Sequence, residues 1–183
     1  LARLVKRGRV YSFEPSAYSR SILNFAIKVN GFENIDVIPQ GLGDAPGTMT
    51  LSTPIKSYGT FKYGLAHLGE RAINEAGHQE EVALTTIDDF ATEAGLKRLD
   101  FIKMDVEGWE YRILLGGTKT IQRYRPIMMI ELVGQQLSRA GDSLEEAWAL
   151  LQSWGYHQEV FIDAQTLSPS ETPLEGDSFW LPD

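Results

Sequence analysis

The chain contains no cysteine among its 183 residues. That absence removes disulfides, zinc–thiolate sites and cysteine nucleophiles together, and it suits a reducing cytosol. Positive charge is scarce as well. The 17 Lys and Arg residues face 25 Asp and Glu, for a formal net charge of −8, and no basic block is longer than Lys97-Arg98. Duplexes and anionic membrane surfaces are held by a basic footprint, so neither nucleic acid nor membrane is expected as a partner. No apolar run approaches the ~20 residues that span a bilayer, and no signal peptide is visible. A cytoplasmic location is therefore expected. What remains is ordinary globular material, 43% hydrophobic and 23% charged, long enough for one α/β domain with a full core. A single domain over residues 1–183 is the expectation.

Leu1–Gly8 reads as the last turns of a helix, with cations near its end and a glycine after it. Arg9–Phe13 is a short β-rich run that stops at Glu14-Pro15. After Ser16, Tyr18, Ile22, Phe25 and Val29 recur at helical spacing as far as Gly31. Ile35–Ile38 is the next strand, and turn chemistry at Asp44–Gly47 makes Thr48–Ser52 an added strand. Residues 54–80 lose periodicity, apart from a short helical stretch at Leu68–Glu75, and are read as an irregular insertion serving as an acceptor lid. Val82–Thr86 and Phe101–Met104 read as strands, with a helix at Ile87–Ala94 between them. One helix follows Gly108, carrying Trp109, Ile113, Leu114 and Ile121 on one side. A strand at Ile127–Leu132 precedes a capping box at Ser143–Glu146. The helix that box opens puts Leu144, Trp148, Leu151 and Trp154 on one face, and strands at Tyr156–Ile162 and Ser178–Leu181 flank a polar loop. Trp109, Trp148 and Trp154 fall on faces expected to be buried. This alternation argues for a doubly wound, mostly parallel sheet with helices on both faces.

In such sheets ligands sit beyond the carboxyl ends of the strands. That rule selects Glu14, Gly41–Asp44, Asp105–Glu110 and Glu131, because each closely follows a strand. A carboxylate at the position of Glu14 can accept hydrogen bonds from both hydroxyls of a ribose; it can equally cap the next helix. Asp105-Val106-Glu107-Gly108-Trp109-Glu110 places three carboxylates in six residues at a strand-to-helix turn, and Gly108 leaves room for another group to approach the backbone. Glu107 and Glu110 could instead complement the positive end of the following helix.

Several stretches together resemble the FkbM methyltransferase family. They are Val10-Tyr11-Ser12-Phe13-Glu14-Pro15, Asn30-Gly31, Gly43-Asp44, Thr86-Ile87-Asp88-Asp89, the run from Phe101 to Glu110, Arg125-Pro126, Ile130-Glu131-Leu132 and Phe179-Trp180-Leu181-Pro182. The Lys-x-Asp-x-Glu-Gly-x-Glu stretch at 103–110 is the most specific of them. The resemblance implies a seven-stranded class I (Rossmann-like) methyltransferase sheet with a closing antiparallel hairpin, ordered 3-2-1-4-5-7-6 in the family's strand numbers. It implies S-adenosylmethionine as methyl donor and a hydroxyl acceptor on a sugar, glycan or natural product. By the same resemblance Glu14, with Pro15, holds the ribose. Gly41, Leu42 and Gly43 lie by the adenine, Asp105 faces the reacting end of the cofactor, and Glu107, Glu110 and Glu131 stand on the acceptor side or behind it. Family members open with a strand and an acidic glycine-rich turn, Asp-x-Gly-x-Asn-x-Gly, which does not precede Leu1. The reading is truncation, and residues 1–183 alone are expected to bind S-adenosylmethionine poorly.

Methyl transfer asks the protein mainly to align an oxygen with an already activated methyl group and to exclude water. An alcohol must also lose its proton, for which Asp105 or a histidine (His67, His78 or His157) is the candidate base. Asp105, Glu107, Glu110, Glu131 and Asp44 also offer hard oxygen ligands for Mg²⁺ or Ca²⁺. Histidines at metal-like spacing are lacking, so no metal is assigned. The competing functions are an NAD-linked oxidoreductase, which needs a glycine turn for its pyrophosphate, and a non-catalytic binding or scaffold module of the same fold.

Overall fold

In the computed structural model of the chain, β1 (Val10–Phe13) leads into α1 (Ala17–Val29), which Ser16 starts by accepting the Ser19 amide on its hydroxyl. The structure describes residues 1–5, 7–54, 67–68, 77–161, 163 and 166–183, with 52–54, 67–68 and 77–78 described as backbone alone. These residues form two compact units, Leu1–Thr85 and Thr86–Asp183.

In the first unit β1 pairs in parallel with β2 (Ile35–Ile38), Val10 opposite Ile35 and Phe13 opposite Ile38, with α1 as the crossover. The helix stops at Asn30 and Gly31, whose φ of +65° is the left-handed turn that glycine adopts without steric cost. The helical spacing of Tyr18, Ile22, Phe25 and Val29 located the helix, yet these four are its exposed face. The half-buried positions are Ser19, Arg20, Leu23 and Ile27. Arg20 is drawn in because its Nη1 donates to the carbonyl oxygens of Glu14 and Pro15, at 3.0 and 2.5 Å. Leu1–Val5 makes a single turn, the Leu4 and Val5 amides bonding Leu1 O, in place of the helix end expected there.

A second sheet of this unit has the order β3-β6-β4-β5, from β3 (Gly41–Leu42), β4 (Gly47–Pro54), β5 (His67–Leu68) and β6 (Gly77–Thr85). The expected strand at Thr48–Ser52 is β4. The one expected at Val82–Thr86 begins earlier, at Gly77, because β4 pairs it along its whole length from Gly47↔Leu84 to Pro54↔Gly77. Both ends of the segment read as irregular are thus sheet, with His67 and His78 on strands. The helical stretch expected at Leu68–Glu75 lies outside the described residues except for Leu68, which is strand.

The second unit opens with α2 (Ile87–Glu93), capped by Thr86, whose Oγ1 accepts the Asp89 amide at 2.9 Å. Its sheet runs β10-β9-β11-β8-β7. In it β7 (Phe101–Met104) and β8 (Ile127–Leu132) are parallel, while β11 (Gly176–Pro182) is antiparallel to both β8 and β9 (Tyr156–Phe161). β10 (Leu167–Pro169) lies inside the expected polar loop; its residues are recruited by pairing with β9 and carry no strand pattern of their own. The helix after Gly108 is two helices, α3 (Glu110–Gly116) and α4 (Thr118–Tyr124). They part at Gly117, where a Cβ would come within 3.0 Å of Ile121 Cδ1 and Ile87 Cδ1. A short α5 (Gly134–Leu137) and a 3-10 turn (Ser138–Ala140) follow β8. Next comes α6 (Leu144–Ser153), opened by the complete Ser143–Glu146 capping box. Leu114, Ile121, Met128, Ile130, Leu132, Leu151 and Trp180 are fully buried around this sheet. Trp154 is buried, and Trp109 and Trp148 are half-buried.

The architecture is a mixed α/β fold of small sheets, and among the described residues the parallel pairs are β1–β2, β3–β6 and β7–β8. Among the described residues β1 has no strand partner besides β2, and β7 none besides β8. No described helix is long and apolar enough to cross a membrane.

Candidate active site

In the second unit the polar residues gather at the carboxyl ends of β7 and β8. Extending the parallel register one step past Met104↔Ile130 puts Asp105 level with Glu131, and Glu131 is opposite Asp177 on β11. Three carboxylates thus stand in one row across three neighbouring strands. Residues opposite one another in a sheet share a face, and like charges so placed repel. The consequence is visible at Glu131, whose carboxyl is pushed above the ordinary range, first by burial and then by Asp105, with Asp177 and Glu107 adding to it. Lys103 offsets part of this charge, its Nζ 2.9 Å from Asp105 Oδ2. Glu131 itself lies inside β8, next to its last residue, and does not follow the strand. Asp105 follows β7 directly and is exposed.

The turn that carries Asp105 is shaped from within. Glu107 has φ of +58° and Gly108 φ of +105°, so the chain passes through left-handed space at a non-glycine residue. Such backbone costs about 1–3 kcal/mol and persists where its surroundings impose it. Here Glu110 does so. Fully buried, it accepts the amides of Val106 and Gly108 on Oε1, at 3.0 and 3.3 Å, on either side of Glu107. Burial raises its pKa above the ordinary glutamate value, the amide bonds oppose that rise, and Asp105 adds to it. Its Oε2 is buried with no hydrogen-bond partner among the described residues. Glu110 therefore braces the loop from beneath.

Gln136 completes the support. Its Nε2 donates to Glu107 Oε2 at 2.9 Å, and its backbone oxygen lies 2.4 Å from where a Cβ on Gly108 would be. The glycine thus admits a neighbouring backbone segment of the same unit. Gln136 is 29 residues from Glu107, and nothing in the sequence between them signals that contact.

In the first unit Glu14 follows β1 and is half-buried. Its Oε1 accepts the Ser16 amide at 2.9 Å, so it does cap the approach to α1. Burial is the largest cause that raises its pKa; Glu80 raises it further, while the Ser16 amide and Arg20 lower it. Its other carboxylate oxygen has no hydrogen bond among the described residues, which leaves an acceptor for a hydroxyl donor. Glu80, on β6, was absent from the candidates; its Oε2 accepts the Ala17 amide at 3.2 Å across 63 residues of sequence. Pro15 is half-buried between Glu14 and the Ser16 cap. Gly41 and Leu42 are β3 itself, pairing in parallel with Leu84 and Thr85 of β6, and the Gly43 amide bonds Thr85 O at 3.0 Å. The two glycines are buried and Leu42 is half-buried.

His157 is the second residue of β9 and lies beside Asp183 and Glu159, at 3.2 and 3.6 Å. Among the described residues no set of three His, Asp or Glu side chains is placed to hold a metal ion.

A family model described as "Methyltransferase FkbM domain" matches residues 1–157. The chain is similar in structure to the crystal structure of methyltransferase FkbM from Methylobacillus flagellatus KT, with 16% sequence identity and a TM-score of 0.51. That similarity covers 95% of this chain and 36% of the other, so the chain spans about a third of that protein's length. None of the curated proteins searched matches.

Proposed function

Because the chain belongs to the FkbM methyltransferase family, we propose that it takes part in transferring a methyl group from S-adenosylmethionine to a hydroxyl of a small-molecule or glycan acceptor. The observation that carries this reading is the braced Asp105 turn, a carboxylate at a strand end whose backbone is held by a buried glutamate and a neighbouring glutamine. The ribose falls to Glu14 and Pro15, and the adenine to Gly41, Leu42 and Gly43. Glu14 fits, since a carboxylate accepts hydrogen bonds from the donors of a ribose diol and one of its oxygens has no partner among the described residues. S-adenosylmethionine supplies an activated methyl on a sulfonium.

What the protein adds is positioning and proton handling. With the cofactor bound, the acceptor's oxygen would take the methyl group as the sulfonium's S–CH3 bond breaks, S-adenosylhomocysteine would leave, and the acceptor's proton would pass to an Asp105 oxygen. Burial and then the neighbouring Asp105 raise the pKa of Glu131, and Lys103 Nζ stands 2.9 Å from Asp105 Oδ2. Glu107 and Glu131 are the acceptor-side residues, and Glu110 acts through the turn. The same reading extends to the fold class, that of class I methyltransferases, whose sheet is ordered 3-2-1-4-5-7-6 in the family's strand numbers. In its support, β2-β1 in one unit and β7-β8-β11-β9 in the other have the neighbours that strands 3-2 and 4-5-7-6 require. No described strand takes the first position.

Incubating the full-length protein with methyl-labelled S-adenosylmethionine and small-molecule and glycan fractions of its host tests the activity. Label is expected in a hydroxyl-bearing product. Asp105→Asn should cut the rate by about 10²–10⁴-fold, with cofactor binding within a few-fold of wild type. A folded wild type that binds the cofactor and labels nothing would turn the reading toward a non-catalytic module.

A further inference from the structure

The amino end of α1 is crowded with oxygen acceptors from two directions. Glu14 Oε1 takes the Ser16 amide at 2.9 Å, Ser16 Oγ takes the Ser19 amide at 3.5 Å, and Glu80 Oε2 arrives from β6 to take the Ala17 amide at 3.2 Å. α1 has 13 residues and no acidic residue in its own first turn. A helix start of this kind ordinarily attracts phosphate, through free amides and the positive end of the dipole. Here two carboxylates hold consecutive amides, so the place a phosphate would take is filled by fixed negative charge.

Taking the ribose role of Glu14 as given, we propose that Glu80 is a specificity-determining residue of the cofactor site. With Glu14 it forms a two-carboxylate rim that admits a ribose with free hydroxyls and rejects one that carries a phosphate. The two carboxylates bond neighbouring amides, so a group held by Glu14 lies within the field of Glu80. Arg20, the cation facing Glu14, donates through Nη1 to the carbonyls of Glu14 and Pro15. Glu80 is also among the groups that raise the pKa of Glu14, as a nearby like charge must.

The test is calorimetry on the full-length protein with S-adenosylhomocysteine, adenosine and adenosine 2′-monophosphate. Wild type is expected to prefer adenosine to its 2′-phosphate by more than about tenfold. Glu80→Gln keeps a carbonyl for the Ala17 amide, so the cap on α1 and the fold should be retained. Its preference against the phosphate should narrow by about 5- to 50-fold. That range follows for a doubly charged phosphate facing one carboxylate at ~7 Å in an effective dielectric of ~40–80. Adenosine binding weakens in acid as Glu14 is protonated, and that limb should move to lower pH in Glu80→Gln; loss of a helix cap alone would not shift it. An unchanged ratio of the two affinities, or a loss of adenosine affinity with the ratio and the acid limb intact, overturns the assignment. If folded wild type binds neither S-adenosylhomocysteine nor adenosine, the cofactor reading fails and this inference with it. If it binds S-adenosylhomocysteine but takes the 2′-phosphate as well as adenosine, the inference alone fails.

Discussion

Replacing Gly108 by alanine tests how tightly the Asp105 turn is built. The residue has φ of +105°, and a Cβ there would lie 2.4 Å from Gln136 O and 2.5 Å from Gln136 C. Two costs add. Holding an L-residue in left-handed space costs roughly 1–2 kcal/mol. Displacing the backbone at Gln136 is an overpacking event of about 1–3 kcal/mol, since what blocks the methyl is a carbonyl and no flexible side chain can yield. The expected loss is therefore about 2–5 kcal/mol. Gly141 provides the control within the same unit, with φ of +83° and nothing within 4 Å of its would-be Cβ. Gly141→Ala should cost the conformational part alone, about 1–2 kcal/mol. Urea denaturation of both variants beside wild type isolates the steric part as their difference. Equal losses would refute the claim that the 105–108 turn interlocks with the backbone of Gln136.

Glu110 makes a pH prediction. Its folded pKa is raised, so its contribution to stability is full below the ordinary glutamate pKa of about 4.3 and is lost as pH rises through the folded value. Glu110→Gln keeps an acceptor for the Val106 and Gly108 amides and has no proton to lose. It should therefore be more stable relative to wild type at pH 8 than at pH 4; denaturation series at the two values check this, and parallel behaviour would count against it. Ser143→Ala removes the hydroxyl half of the α6 capping box. A destabilisation of about 1 kcal/mol is expected, readable by thermal or urea unfolding, and no loss would mean the box is idle.

Local chemistry made part of this structure legible in the sequence. Ser143 starts a helix with the capping box that was read there, and Gly31 and Gly95 stop two other helices in left-handed turns. The strands at Phe101–Met104 and Ile127–Leu132 stand as expected, because a short apolar run between polar turns has few other ways to be buried. Asp105, Glu107, Glu110 and Glu131 were picked out by their place at strand ends, and the second unit brings them together. What was hidden depends on tertiary contact. The exposed stripe on α1 has the same spacing a buried one would have, and periodicity cannot say which face is covered. β10 exists through its partner. Glu80 and Gln136 act across 63 and 29 residues, and no pattern of nearest neighbours encodes such a reach. Glu110 was read as complementing the helix end or as standing on the acceptor side or behind it, and position alone does not reveal its burial.

The account turns on Glu14 holding the ribose of S-adenosylmethionine, and calorimetry of the full-length protein against that cofactor addresses it most directly. Wild type should bind. Glu14→Ala, shown by circular dichroism and unfolding to be folded, should bind about 1–3 kcal/mol more weakly, the cost of stranding the hydrogen-bonding partners of one charged acceptor. An unchanged affinity in the folded variant would remove Glu14 from the site, and with it the claim that the amino end of α1 faces the cofactor.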